Sequence, residues 1–268
     1  LIGVPAGTHA IIEYVPAGYQ QTFPSTALDG TGQLTFVEAN KDSQNDLAGL
    51  VGAQALAASP DGRYLDVGSY LDDSLVVLGR DPLSGKLSFV QAIEDNVGGV
   101  DGLQEVLDLV VSPDGKHVYA VGGGDDAVAT FSRDMQTGRL SFVHAVYDEQ
   151  NGGDGLDLPN AIAISSDGKH VYVTSTYDDA LTAFSRNDST GHLTLVEVFK
   201  DGQGVDTLNG ANSVAVSPNG DYVFVTAATD RSLMQFSRNA TSGPSVTVSL
   251  KATSRASGSN TRRAVTVA

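Results

Sequence analysis

The chain has 268 residues, 41 % of them apolar, no cysteine and a formal net charge of −16. A chain of this length builds a sizeable core, the lack of cysteine excludes disulfides and thiol chemistry, and the charge argues against phosphate-neutralising contact with nucleic acid. No apolar run approaches the ~18 residues of a membrane-spanning helix.

The acidity is uneven, with 26 Asp against six Glu. A charge serving solubility alone draws on both residues. Asp is the residue of turns, where its short side chain accepts hydrogen bonds from nearby backbone amides. The composition therefore predicts a chain with many turns; calcium binding or a salt-rich habitat gives the same bias. The first residue is Leu1 and no charged-then-apolar leader follows it, which reads as a processed chain or a piece of a longer one.

Along the chain, Leu1 to Val4 followed by Pro5-Ala6-Gly7 reads as a degraded strand and turn. The complete pattern then begins. Ser59-Pro60-Asp61-Gly62 recurs as Ser112-Pro113-Asp114-Gly115, Ser165-Ser166-Asp167-Gly168 and Ser217-Pro218-Asn219-Gly220, with glycine spacings of 53, 53 and 52. Thr31-Gly32 recurs as Ser84-Gly85, Thr137-Gly138, Thr190-Gly191 and Ser242-Gly243. Arg80, Arg133, Arg186 and Arg238 keep the same register. Three markers with one period define an internal repeat.

Each copy reads as four strands. In the third full copy they are Ala161 to Ile164, His170 to Thr174, Ala180 to Ser185 and His192 to Val198, separated by turns at Ser166-Asp167-Gly168, Tyr177-Asp178-Asp179 and Asn187 to Gly191. Valine, threonine and tyrosine suit strands, and no segment sustains helical periodicity. Four short strands per ~53 residues predict an all-β fold, a β-propeller of about five four-stranded blades, whole or as part of a larger propeller. The blades are placed at residues 1–50, 51–104, 105–158, 159–210 and 211–262. Arg263 to Ala268 aligns with Asn212 to Ser217 as a surplus inner strand. That strand closes the ring, begins a sixth blade, or is donated to a neighbouring molecule.

The segments Val111-Ser112-Pro113-Asp114-Gly115-Lys116-His117-Val118-Tyr119, Phe131-Ser132-Arg133-Asp134 and Tyr172-Val173-Thr174-Ser175 resemble the lactonase-type propeller superfamily. That group includes seven-bladed phosphogluconolactonase-like and carboxymuconate cyclase-like proteins, and surface-layer proteins with a Tyr-Val-Thr-Asn signature. The resemblance runs from about Asp29 to Asn239. It implies the fold, not an activity, because the motif records blade geometry. The enzymatic branch has about seven blades and is expected to place His, Glu and Arg around the channel mouth. The inner strands here are poor in these residues, so no catalytic residue is carried over.

Of the five histidines, His117 and His170 occupy a repeated slot that elsewhere holds Tyr64 or Tyr222, which points to packing; His9, His144 and His192 stand outside that slot. The pairs Asp72-Asp73, Asp125-Asp126 and Asp178-Asp179 recur once per copy and read as turn caps, and the repeated arginines read as blade-to-blade salt bridges to turn aspartates. The loops between copies, richest at Asp148 to Asp157, alternate Asp, Asn and Gly. That composition lets oxygens converge on a cation, so calcium is the candidate ion, with Asp148, Asp154 and Asp157 as ligands. At the entrance to the inner strands, Gln54, Asp108, Asn160, Asn212 and Arg263 form the candidate ligand-binding ring at the channel mouth.

The residues favour a non-enzymatic binding or structural module of a secreted or cell-surface bacterial protein. It would self-associate or present its loops and channel mouth to a protein partner or a glycan. The alternative is a lactonase-like hydrolase acting on a small sugar lactone at the channel mouth. Neither reading requires a cofactor, a nucleic acid or a membrane span.

Overall fold

A computed structural model describes residues 34–44, 47–150 and 154–239. These residues are all-β, with no helix. Fifteen strands form four antiparallel sheets, each a meander in chain order. Blade I holds β1 (Ala53–Ala58), β2 (Tyr64–Ser69), β3 (Ser74–Arg80) and β4 (Leu87–Glu94). Blade II holds β5 (Val106–Val111), β6 (His117–Gly122), β7 (Ala127–Arg133) and β8 (Leu140–Tyr147). Blade III holds β9 (Pro159–Ile164), β10 (His170–Ser175), β11 (Ala180–Arg186) and β12 (Leu193–Lys200). Blade IV is described through β13 (Ala211–Val216), β14 (Tyr222–Ala227) and β15 (Ser232–Ser237). Most of the expected first blade, the end of the fifth, His9, Arg263 and the surplus strand lie outside the described residues.

The first strands line the axis, where β1 neighbours β5, β5 neighbours β9 and β9 neighbours β13. The described blades form an arc and do not close a ring. The middle strands β6 and β7 are almost wholly buried, because a blade is covered on both faces by its neighbours. The outer strand β8 is half-exposed, as a rim strand must be. Between blades I and II the core packs Leu75, Val77 and Ile93 against Val106, Val118, Phe131 and Leu140. An equivalent cluster stands between blades II and III, and another between III and IV. Hydrophobic burial thus joins blade to blade, which is why the unit occurs only in series.

Candidate functional site at the channel mouth

The two faces of the arc are built differently. On one face lie the Ser-Pro-Asp-Gly turns and the turns between third and fourth strands. There Ser59, Ser112 and Ser165 each donate to the aspartate two residues on, closing the turn. The repeated arginine of the next blade completes the motif. Arg186 contacts Asp114 at 3.0 Å, Tyr119 Oη at 2.8 Å and His117 Nδ1 at 2.8 Å. Arg238 meets Asp167 at 2.5 Å and His170 Nδ1 at 2.9 Å. Burial pushes the Asp114 carboxyl up, but the Ser112 hydroxyl and the Arg186 guanidinium reverse this and hold it at about 2. Asp167 is held at about 2 by the same balance, with Ser165 and Arg238.

Blade I departs from this pattern. Asp66 stands where the next blades carry Tyr119 and Tyr172, and it pairs with Arg133, both side chains fully buried. The arginines do bridge blades, but to first-turn or strand aspartates and not to the paired aspartates of the second turn. His117 lies over Gly191 of the next blade, as Tyr64 lies over Gly138. The His/Tyr slot is therefore an interblade contact.

The opposite face carries the long loops, and the paired aspartates organise it. The first of each pair accepts a backbone N–H within its own blade: Asp72 from Val51, Asp125 from Gln104, Asp178 from Asp157. The second reaches the next blade: Asp73 accepts from Glu105 at 2.7 Å, Asp126 from Leu158 at 2.9 Å, Asp179 from Gly210 at 2.6 Å. These second aspartates sit at positive φ, between 48° and 52°, a conformation that Asp tolerates better than most residues. The aspartates that open the loops act likewise, Asp95 capping Leu103 and Asp148 capping Gly155 and Leu156.

Of the calcium candidates, Asp148 and Asp154 come together with Asp178, ligand atoms within 4.8 Å of one another. The Lys200 ammonium contacts Asp154 and lies 2.6 Å from Asp178. Asp157 offers its backbone N–H to Asp178.

The mouth on this face is shaped by a repeated β-bulge. Pairing of the first two strands skips Gln54, Leu107, Asn160 and Asn212 in turn. A bulge leaves one residue unpaired and re-aims its side chain. Three of the four are amides. Gln54 donates to the Val106 carbonyl of the next blade at 3.2 Å. Asn160 donates to Ala211 of the next blade at 3.0 Å and accepts from Thr174. Asn212 accepts from Thr226. Asp108, one step inward, accepts backbone N–H groups from Leu109 and from Ile162 of blade III. Burial nevertheless raises its pKa.

Two residues absent from the expected ring complete the mouth. Glu105 has φ 56° at a register where Gly52, Leu158 and Gly210 take the same left-handed backbone, Leu158 at 52°. A non-glycine residue there carries a backbone cost, which Glu105 shares with Leu158. The Glu105 carboxylate lies near Tyr70, and its negative charge raises the pKa of the Tyr70 hydroxyl. At the Tyr70 register the other blades hold Gly123, Thr176 and Ala228. Gln54, Tyr70 and Glu105 thus stand at the mouth side of the blade I–II seam, while Asp108 turns to blade III. The signal in the sequence is a break in the repeat, a Tyr among small residues at the Tyr70 register; attention to what repeats passes over it.

Repeated four-stranded blades around an axis, with bulged polar residues at one mouth, define a β-propeller. The chain belongs to the family of lactonases with a seven-bladed β-propeller, whose model matches residues 14–149 and again 109–255. Among curated relatives, the chain is similar to a 6-phosphogluconolactonase of Bacillus subtilis, 24 % identical over 54 % of this chain and 40 % of that protein. A solved candidate 6-phosphogluconolactonase of Bacteroides uniformis shares the fold with TM-score 0.59 and 21 % identity, over 72 % of this chain and 52 % of that one. A Lactobacillus plantarum protein aligns with TM-score 0.58 and 24 % identity, over 73 % and 53 %. The chain therefore spans about half the length of the relatives it matches.

Proposed function

We propose that the chain contributes the channel mouth of a hydrolase that opens a small sugar lactone. The observation that carries this reading is the Glu105–Tyr70 pair, a carboxylate held in a left-handed backbone position at the mouth. Family membership and the curated 6-phosphogluconolactonase relative support the same chemistry. Glu105 takes a proton from a water molecule whose oxygen attacks the lactone carbonyl. The ring C–O bond breaks, and the proton passes to the released alkoxide, so lactone plus water gives the hydroxy acid. Gln54, Asn160 and Asn212 supply amide groups for the sugar hydroxyls. The inner strands β1, β5, β9 and β13 carry no Lys or Arg, which favours a neutral sugar lactone over a phosphorylated one at these blades.

The test is proton release from glucono-δ-lactone by the full chain. Wild type should accelerate ring opening above the buffer rate. Glu105→Gln should lower kcat by about 10²- to 10⁴-fold, the range for loss of a general base, with KM little changed. Equal rates in wild type and variant overturn the assignment of Glu105. A second reading, binding of a sugar without hydrolysis, is favoured by the place of His117, His144, His170 and His192: all four lie in blade-to-blade contacts away from the mouth. It predicts saturable binding of glucono-δ-lactone with no rate above buffer.

A further inference from the structure

We propose that the wedge between blades II and III, away from the channel, binds a small uncharged aromatic molecule where the repeat omits a phenyl ring. A cavity of about 380 Å³ opens there, bounded by Val146 and Tyr147 of blade II and by Thr182, Phe184, Leu195 and Val198 of blade III. Its origin is visible in the other two seams. Between blades I and II the corresponding space holds Ile93, Phe131 and Phe142, and the two rings meet edge-on at 5.6 Å. Between blades III and IV it holds Phe199 and Phe236, 5.0 Å apart. The middle seam keeps one ring, Phe184. Leu195 stands in the Phe142 register and Val146 in the Phe199 register. Val128, beside Val146 in the sheet, replaces the leucine that the other blades carry as Leu75 and Leu181. Each change removes volume from the same wedge.

The face that blade II turns to this seam also holds two polar atoms without a partner. Thr130 Oγ1 and His144 Nδ1 are buried with no hydrogen bond, and the two residues are directly paired across β7 and β8, two positions from Val146. A close-packed interior leaves neither voids nor orphan polar atoms without cost. An apolar cavity of roughly 150 Å³ already binds benzene, so this one admits a substituted ring. The lining also includes Asp148, Gln150 and Asp154. Asp148 is capped by backbone N–H groups and Asp154 is paired with Lys200. This surrounding disfavours anions and gives a cation no free partner. A neutral ring with a hydroxyl group, such as a phenol, matches shape and polarity.

The test is titration of the full chain with phenol, read by calorimetry and by nuclear Overhauser contacts from the ring protons to methyl groups. Contacts to Val146, Leu195 and Val198 are expected. Leu195→Phe restores the ring of the blade I–II seam, and Val146→Phe that of the III–IV seam. Each should weaken phenol binding at least tenfold and raise the melting temperature. Absence of these methyl contacts in the wild type overturns the proposal, whether or not a variant folds. So does phenol binding that either folded variant leaves unchanged.

Discussion

At the scale of single residues, the buried pair Asp66–Arg133 shows what an interior charge costs. Burial pushes the Asp66 carboxyl up to about 6 against the pull of the Arg133 guanidinium. Its second oxygen and Arg133 Nε have no partner. Removing one member leaves the other uncompensated, at a cost of about 3–5 kcal/mol. Arg133→Met is therefore expected to lower stability by that order at pH 7 in urea unfolding. The loss should shrink at pH 5, where Asp66 is largely protonated. Asp66→Leu together with Arg133→Met should recover most of it.

His144 titrates with the opposite consequence. Burial, and then the stacked ring of His192 at 4.0 Å, lower its pKa to about 4. A histidine whose folded pKa lies below its unfolded value of about 6.5 gives stability that is complete above that pH and lost as pH falls from about 6.5 towards 4. Asp114 and Asp167, held at about 2, add stability that is lost only lower, as pH falls from about 4 towards 2. Acid unfolding should thus begin with His144, joined by His117 and His170, whose pKa values burial also lowers, and finish with the two aspartates. In the same register blade I carries Gln91, which both donates to and accepts from Leu140 of blade II. His144→Gln is expected to make the melting-temperature curve shallower below pH 6.5, with the remaining slope owed to His117 and His170, and to leave its fall below pH 4 in place.

At the scale of elements, each blade is fixed by turns whose side chains are chosen by the neighbouring blade. Gly191 has φ 78°, its carbonyl accepts from Tyr119 Oη at 2.9 Å, and a Cβ there would lie 2.3 Å from the His117 ring. A left-handed alanine costs about 1–2 kcal/mol, and overpacking adds about 1–3. Gly191→Ala should lower stability by about 2–5 kcal/mol, whereas Gly85→Ala, with open space around its Cβ, should lose only the backbone cost. Denaturant midpoints of the two variants separate these contributions.

The strands were legible in the sequence because valine-rich alternation and the Ser-Pro-Asp-Gly turn are local signals. In blade III the expected His170 to Thr174 and Ala180 to Ser185 each end one residue short of β10 and β11. The role of the paired aspartates as turn caps was legible for the same reason. Their reach to Glu105, Leu158 and Gly210 was not, because a hydrogen bond between blades depends on how two repeats dock. The bulge that re-aims Gln54, Asn160 and Asn212 was equally hidden, since it appears only once strand pairing is known. Glu105 and Tyr70 were overlooked because a repeat directs attention to constancy, while this site lies where constancy fails.

At the scale of the molecule, the described blades form an arc whose two faces differ in purpose. One face is locked by Asp–Arg–His and Asp–Arg–Tyr contacts, and the other gathers loops, amides and the Glu105–Tyr70 pair around the axis. Loops on a rigid scaffold are where binding residues concentrate. The central claim is that a neutral sugar lactone is held at the loop-bearing mouth of the blade I–II seam. Amide hydrogen exchange with and without glucono-δ-lactam, a neutral analogue that resists ring opening, tests this most directly. Slowed exchange confined to Val51 to Ala55, Ser69 to Leu71 and Gln104 to Leu109 is the predicted result. Protection instead at Ser112 to Tyr119 and around Arg186, on the opposite face, would contradict it.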